Sequence, residues 1–280
     1  MSGRVRLELS ELATEGGPRR VATLTLDAPE RGNSLDAAML ARIEELLRGL
    51  PVDTGDTGDG AGASEGARAL LVRGAGERAF CTGYHVPSLL DELERGLTVS
   101  DFEDHPLERA LRALEEVPVP TIAVVDGHAY GAGCELALAC DLRVAVRGAR
   151  FCMPPAKLGV LYSATGMRRL LELTGPARTK ELLFTGDPVD AERALAIGLA
   201  NRVAAPDALE AEVSALTARI AGNAPLSVHH TKAVLQRYLA PPALSTDDLH
   251  AVAALREECF RSLEFRRRAA RLGGREPRAE

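Results

Sequence analysis

VPVPTIAVVDGHAYGAGCELALACDLRVA, residues 117–145, is the stretch whose reading decides the fold. Thr121 to Val125 reads as a buried strand, its last four residues a continuous apolar run. The turn Gly131-Ala132-Gly133 then opens a short helix, and Leu142 to Val146 is a second buried strand. Strand, glycine-rich turn, helix and strand in this order predict a largely parallel sheet with helices outside it, an α/β fold.

The pattern extends outward from there. Upstream, Leu107, Leu111 and Leu114 mark a helix, and Ala69 to Val72 marks a strand followed by the loop GAGERAFCTG. Nearer the start, Val5, Leu7 and Leu9 alternate with polar neighbours, as do Ala22, Leu24 and Leu26, which predicts a β-hairpin across Gly16-Gly17-Pro18. Asn33 and Ser34 are expected to cap the helix carrying Met39, Leu40, Ile43, Leu46, Leu47 and Leu50. From Asp190 onward, helical periodicity takes over. Residues 51–67, PVDTGDTGDGAGASEGA, carry no apolar period and read as a mobile surface loop, a tolerated insertion between helix and strand.

Hydrophobic residues make up 46% of the 280-residue chain, aromatics only 4%, and Trp is absent. The core must come from Leu, Val, Ile and Ala. A net charge of −6 offers no basic surface for nucleic acid or anionic lipid. Five scattered cysteines (Cys81, Cys134, Cys140, Cys152 and Cys259) lack zinc spacing and read as buried small residues in a reducing compartment. No apolar run approaches a membrane span, and MSGRVRLELS alternates instead of forming a leader, so a cytoplasmic protein without a metal is expected.

Generic catalytic signatures fail. GAGERA at Gly74 and GAGCEL at Gly131 both lack the third glycine of a dinucleotide fingerprint. There is no phosphate loop, and Ser163 sits in LYSATG, not in a nucleophile elbow. Two loops remain: Ala79-Phe80-Cys81-Thr82-Gly83-Tyr84-His85 at a strand end, and residues 126–137 joining a buried strand to a helix. Both present glycine-flanked amides that can stabilise negative charge growing on a thioester oxygen.

With these loops, the sequence resembles the crotonase (enoyl-CoA hydratase/isomerase) superfamily. The resemblance rests on ATLTLDAPERGNSL (22–35), FCTGYHV, residues 117–145, KELLFTGDPVDAERALAIGLANRV and NAPLSVHHTKAVL, in that order. It implies a spiral of ββα units over residues 1–200. It also implies a C-terminal helical region, residues 201–280, used in trimer contacts and commonly in a dimer of trimers. The implied oxyanion-hole amides fall on Tyr84 and Ala132, flanked by Thr82, Gly83 and Gly131. The loop 29–35, with Arg31, Asn33 and Ser34, would lie beside the CoA adenosine and pantetheine. CoA enters as part of the substrate, with no separate cofactor, and a carrier-protein acyl thioester is equally open.

Hydratases of this superfamily typically carry two glutamates. The first falls on Glu135, but the second falls on Pro155, which cannot transfer a proton. PPAKLGVLYSATG (154–166) and HPLERALRALEEVPVPTI (105–122) look like the corresponding stretches of methylmalonyl-CoA decarboxylase-like members, whose active-site tyrosine falls on Tyr162. Those members carry a His where Tyr84 stands, and the neighbouring His85 is not assigned that part. Decarboxylation of a malonyl-type acyl-CoA is therefore placed ahead of an atypical single-glutamate hydratase or isomerase and of a non-catalytic acyl-CoA-binding homologue. Cys134 beside Glu135 reads as packing, His229, His230 and His250 as helix residues, and Arg266-Arg267-Arg268 as a solvated helix end.

Overall fold

The computed structural model describes residues 3–55, 65–88, 91, 105–239 and 246–272. The centre of the low-complexity stretch, 56–64, and most of residues 87–104, expected to set pocket size, lie outside the described residues.

In chain order the elements are β1 (Arg4–Leu12), β2 (Arg19–Asp27), α1 (Ala37–Arg48), β3 (Leu70–Gly74), β4 (Ala79–Cys81), α2 (Pro106–Glu115), β5 (Thr121–Val125), β6 (His128–Tyr130) and α3 (Ala132–Ala139). They continue with β7 (Leu142–Val146), β8 (Arg150–Cys152), α4 (Pro155–Leu158), α5 (Ala164–Thr185), β9 (Val189–Asp190), α6 (Ala191–Ala196) and β10 (Arg202–Ala204). The last helices are α7 (Leu209–Gly222), α8 (Pro225–Leu239), α9 (Thr246–Arg261) and α10 (Leu263–Leu272).

The strands sort into a six-stranded sheet, β1-β2-β3-β5-β7-β10, and a four-stranded one, β4-β6-β8-β9. Successive pairs β3/β4, β5/β6 and β7/β8 each place the first strand in the large sheet and the second in the small one. The chain therefore winds as a spiral of ββα turns. β5 is buried throughout, and its alternation serves two cores: Ile122 and Val124 meet Leu209, Val213 and Leu216 of α7, while Ala123 and Val125 join the larger cluster with α1, α2 and α3. Burial on both faces explains why Ile122 to Val125 is apolar without interruption.

The hairpin forms as expected, Val5 pairing with Leu26 and Leu9 with Ala22. Two readings need correction. Asp36, not Asn33 or Ser34, caps α1 by accepting from the Met39 amide at 2.9 Å. Asn33 sits in the left-handed region (φ 55) and spends its side chain elsewhere: its Oδ1 accepts from the Ala28 amide, and its Nδ2 donates to the Ala75 and Ala79 carbonyls. The chain after Asp190 is also not wholly helical, because β10 completes the large sheet in parallel with β7. Three residues are too few to show a period of two in sequence; the pairing is held by neighbours such as the Arg147 amide donating to the Ala204 carbonyl at 2.7 Å. Among the described residues, no helix is long and apolar enough to cross a membrane.

Candidate active site

The small sheet builds the site. β4, β6 and β8 run parallel, so the turns after them leave from the same edge: Thr82–Gly83–Tyr84, Gly131–Ala132, and Met153–Pro154–Pro155. Gly83 has φ 102, and a Cβ there would lie 2.8 Å from the Tyr130 carbonyl oxygen and 3.4 Å from the Ala132 nitrogen. Gly133 is tighter still, since a Cβ would stand 2.2 Å from the Cys81 carbonyl oxygen. Glycine at these positions lets two backbones touch where any side chain would separate them.

Hydrogen bonds then aim the amides. The Leu35 amide donates to the Gly83 carbonyl and the His85 amide to the Leu35 carbonyl, both at 2.8 Å. Because C=O and the following N–H point oppositely in a trans peptide, the Tyr84 N–H is turned away from Leu35, to the side where Gly131 and Ala132 lie. Ala132 is the first residue of α3, so its N–H belongs to the first-turn donors that no helical carbonyl satisfies. An amide at the positive end of a helix dipole favours an anionic oxygen nearby.

Glu135 lies one turn into α3 and is 3% exposed. Its Oε2 packs on Gly166, where a Cβ would approach within 2.6 Å, and stands 4.0 Å from Nη1 of Arg169 on α5. Tyr162 reaches back from the chain before α5, and its hydroxyl is 3.6 Å from where a Gly131 Cβ would be. Glu135 Oε2, Tyr162 Oη and Arg169 Nη1 are all buried without a hydrogen-bond partner in the protein. Each such group costs about 1–3 kcal/mol, a cost a bound polar ligand would relieve. Burial foremost, then the negative charge of Glu108, pushes the Glu135 carboxyl up to about 7, against the pull of Arg169 and Arg256. Burial and the Glu135 charge push the Tyr162 phenol well above its ordinary value.

At the end of β8, Pro155 is buried as the first residue of α4, so no carboxylate faces Glu135 from this turn. The loop 29–35 is braced from within. The Arg31 Nη2 donates to Asp36 at 2.6 Å and contacts the Met39 sulfur, while Ser34 is buried at 6% exposure. Asn33's contribution is the shape of this loop. Thr82 is exposed and lies against Gly32. A groove of about 1240 Å³ starts at this corner, lined among others by Gly32, Arg78, Thr82, Asp126 and Arg147. Tyr84, Ala132, Glu135 and Tyr162 are not in its wall, so the groove does not contain this cluster. His85 pairs its Nδ1 with Ser88 Oγ at 2.8 Å, outside the cluster around Glu135. Cys134 is fully buried, and burial raises its thiol, which removes it as a nucleophile.

Sequence reasoning missed the groups behind Glu135. Arg169 is clamped by Glu115 of α2, its Nε and Nη2 donating to the two carboxylate oxygens at 2.7 and 3.0 Å. Glu108, also on α2 and 9% exposed, accepts from the Thr165 hydroxyl at 2.7 Å. In sequence these are ordinary helix charges, and the partners lie 54 and 57 residues away.

Residues 16–271 match the family described as enoyl-CoA hydratase/isomerase. The chain belongs to that family. It is thus a crotonase-family acyl-CoA enzyme, and its spiral of ββα turns is the crotonase fold. Among family members, the short-chain-enoyl-CoA hydratase of Clostridium acetobutylicum is 32% identical over 219 residues, 78% of each chain. A solved methylmalonyl-CoA decarboxylase complexed with 2S-carboxypropyl CoA is 25% identical with a TM-score of 0.82, covering 100% of this chain and 99% of that one. An enoyl-CoA hydratase/carnithine racemase from Magnetospirillum magneticum is 29% identical with a TM-score of 0.73, covering 99% and 97%.

Proposed function

We propose that this crotonase decarboxylates a malonyl-type acyl-CoA, such as methylmalonyl-CoA. The observation that carries the reading is the unpaired, buried Tyr162 hydroxyl over Gly131, together with a proline at the end of β8 where a second proton-transferring carboxylate would stand. The likeness in structure to a protein named methylmalonyl-CoA decarboxylase supports it.

In this mechanism the thioester oxygen accepts from the Tyr84 and Ala132 amides. The Tyr162 hydroxyl donates to the substrate carboxylate and holds it out of the thioester plane. The bond between carboxylate and α-carbon breaks, CO2 leaves, and the electron pair passes through the α-carbon to the thioester oxygen as an enolate. No base is required, because loss of CO2 itself generates the carbanion. The proton that closes the sequence comes from Glu135, half protonated near neutrality at its raised value of about 7. A protonated Glu135 also removes the repulsion between two carboxylates in one site.

The groove beside Thr82 takes the nucleotide end of the thioester, with Arg78 and Arg147 on its walls. Exposed Val234, Leu235, Tyr238 and Leu239 on α8 fit contacts between copies in a homotrimer or dimer of trimers. A second reading, hydration or isomerisation through Glu135 alone, is favoured by the hydratase name of the relative in Clostridium acetobutylicum. Product masses separate the two. Incubation with methylmalonyl-, ethylmalonyl- and malonyl-CoA is expected to give loss of CO2, slowed about 100-fold in Tyr162→Phe. Addition of water to crotonyl-CoA, lost in Glu135→Ala but kept in Tyr162→Phe, would overturn decarboxylation in favour of hydration.

A further inference from the structure

Among the described residues Glu135 has one ion-pair partner, Arg169, and Arg169 is already turned toward another carboxylate. Both its Nε and Nη2 go to Glu115, leaving Nη1 at 4.0 Å from Glu135 Oε2, too long for a hydrogen bond. The carboxylate whose charge reaches Glu135 is Glu108 of α2. Its Oε2 accepts from Thr165, whose hydroxyl lies 3.0 Å from Ser163 Oγ. Ser163 in turn caps α5 by accepting from the Gly166 amide at 3.0 Å, and Glu135 packs directly on Gly166. A single turn, Ser163–Gly166, thus seats one buried carboxylate and supports the other.

We propose that Glu108 is a positioning residue of the reaction centre: seated by Thr165, it supplies from α2 the second negative charge that Pro155 removes from the end of β8, and so keeps Glu135 as a proton donor instead of a base. The inference rests on the reading of Glu135 as part of the reaction centre and adds a charge that acts with burial to set its state. The charged groups facing Glu135 among the described residues come from three elements: Glu108 on α2, Arg169 on α5 and Arg256 on α9, whose Nε donates to the Leu161 carbonyl beside Tyr162. Burial raises Glu135 most; beyond it the two arginines favour the carboxylate and Glu108 opposes them, in step with the Glu135 value of about 7. Glu115 draws Arg169 to itself and so acts in the same direction as Glu108.

The test reads Glu135 directly, by carbon NMR of protein labelled at glutamate carboxyls, with Glu135→Gln assigning the resonance. No substrate is present, so its outcome is separate from the identity of the reaction. In the unaltered protein the resonance is expected to titrate at about 7. In Glu108→Gln, whose side-chain carbonyl still accepts from Thr165, the midpoint falls toward the ordinary glutamate range, about 4.3. In Glu108→Asp, which keeps the charge, it stays near that of the unaltered protein. A midpoint unmoved in Glu108→Gln, or lowered equally in both variants, overturns the proposal. Turnover follows the same direction: the protonated form is the donor, so activity falls as pH rises through the midpoint, and Glu108→Gln moves that limb to lower pH. A purely structural role would change the height of the profile and leave the limb in place.

Discussion

Gly133→Ala is expected to lower kcat/KM for thioester substrates about 100-fold or more, the cost of losing one oxyanion donor. The new methyl would meet the Cys81 carbonyl oxygen at 2.2 Å and the Cys81 Cβ at 2.6 Å. Neither is the flexible end of a side chain: one is backbone and the other is fixed by β4. Relief requires α3 and the turn after β4 to move apart, and these carry the Ala132 and Tyr84 amides. Overpacking of this kind costs about 1–3 kcal/mol, so the protein should remain folded with a lower melting point. Gly175→Ala is the matched control. Gly175 also has positive φ, 72, but a Cβ there meets nothing within 4 Å. Strain at that position should cost stability without touching kcat/KM. Equal losses of activity in the two variants would show that the clash at Cys81 does not set the spacing of the amides.

Glu135→Gln should make the protein more stable at alkaline pH. The folded chain holds a proton on Glu135 up to about 7, whereas an ordinary glutamate releases it near 4.5. Between those values the native state binds more protons than the unfolded state, so stability falls as pH rises, and the full penalty applies above about 7. A gap of this width corresponds to roughly 3 kcal/mol. The amide cannot ionise and escapes the penalty. Urea unfolding near pH 8 should therefore find Glu135→Gln more stable by about 3 kcal/mol, with the difference shrinking below about 1 kcal/mol near pH 5. No gain at pH 8 would mean that the carboxylate is paired or hydrated in the native state.

Much of the frame was legible because the signals are local. The apolar run Ile122–Val125, the glycines at 131 and 133, and the hairpin alternation each depend on neighbours a few residues away. Residues 202–204 were not legible as a strand, since a three-residue segment acquires that state from its partner β7. Asn33 looked like a helix cap because its residue type suits one; its true partners, Ala75 and Ala79, lie 42 and 46 residues downstream. The reaction centre divides similarly. Tyr84, Ala132, Glu135 and Tyr162 sit in or beside motif-bearing loops and could be named from sequence, whereas Glu108, Glu115 and Arg169 touch their partners only across the fold. Pro155 was informative in the opposite sense: a residue that cannot do the chemistry narrows which chemistry remains.

The central claim is that the Tyr84 and Ala132 amides bind an enolate more strongly than the thioester from which it forms. Affinity for a stable planar mimic, the α-carbanion of 2-nitropropionyl-CoA, compared with propionyl-CoA by calorimetry, tests this without turnover. The account predicts that the anion binds at least about 100-fold more tightly, and that Gly133→Ala removes most of the preference while leaving propionyl-CoA affinity nearly unchanged. Equal affinity for the two ligands in the unaltered protein would contradict it.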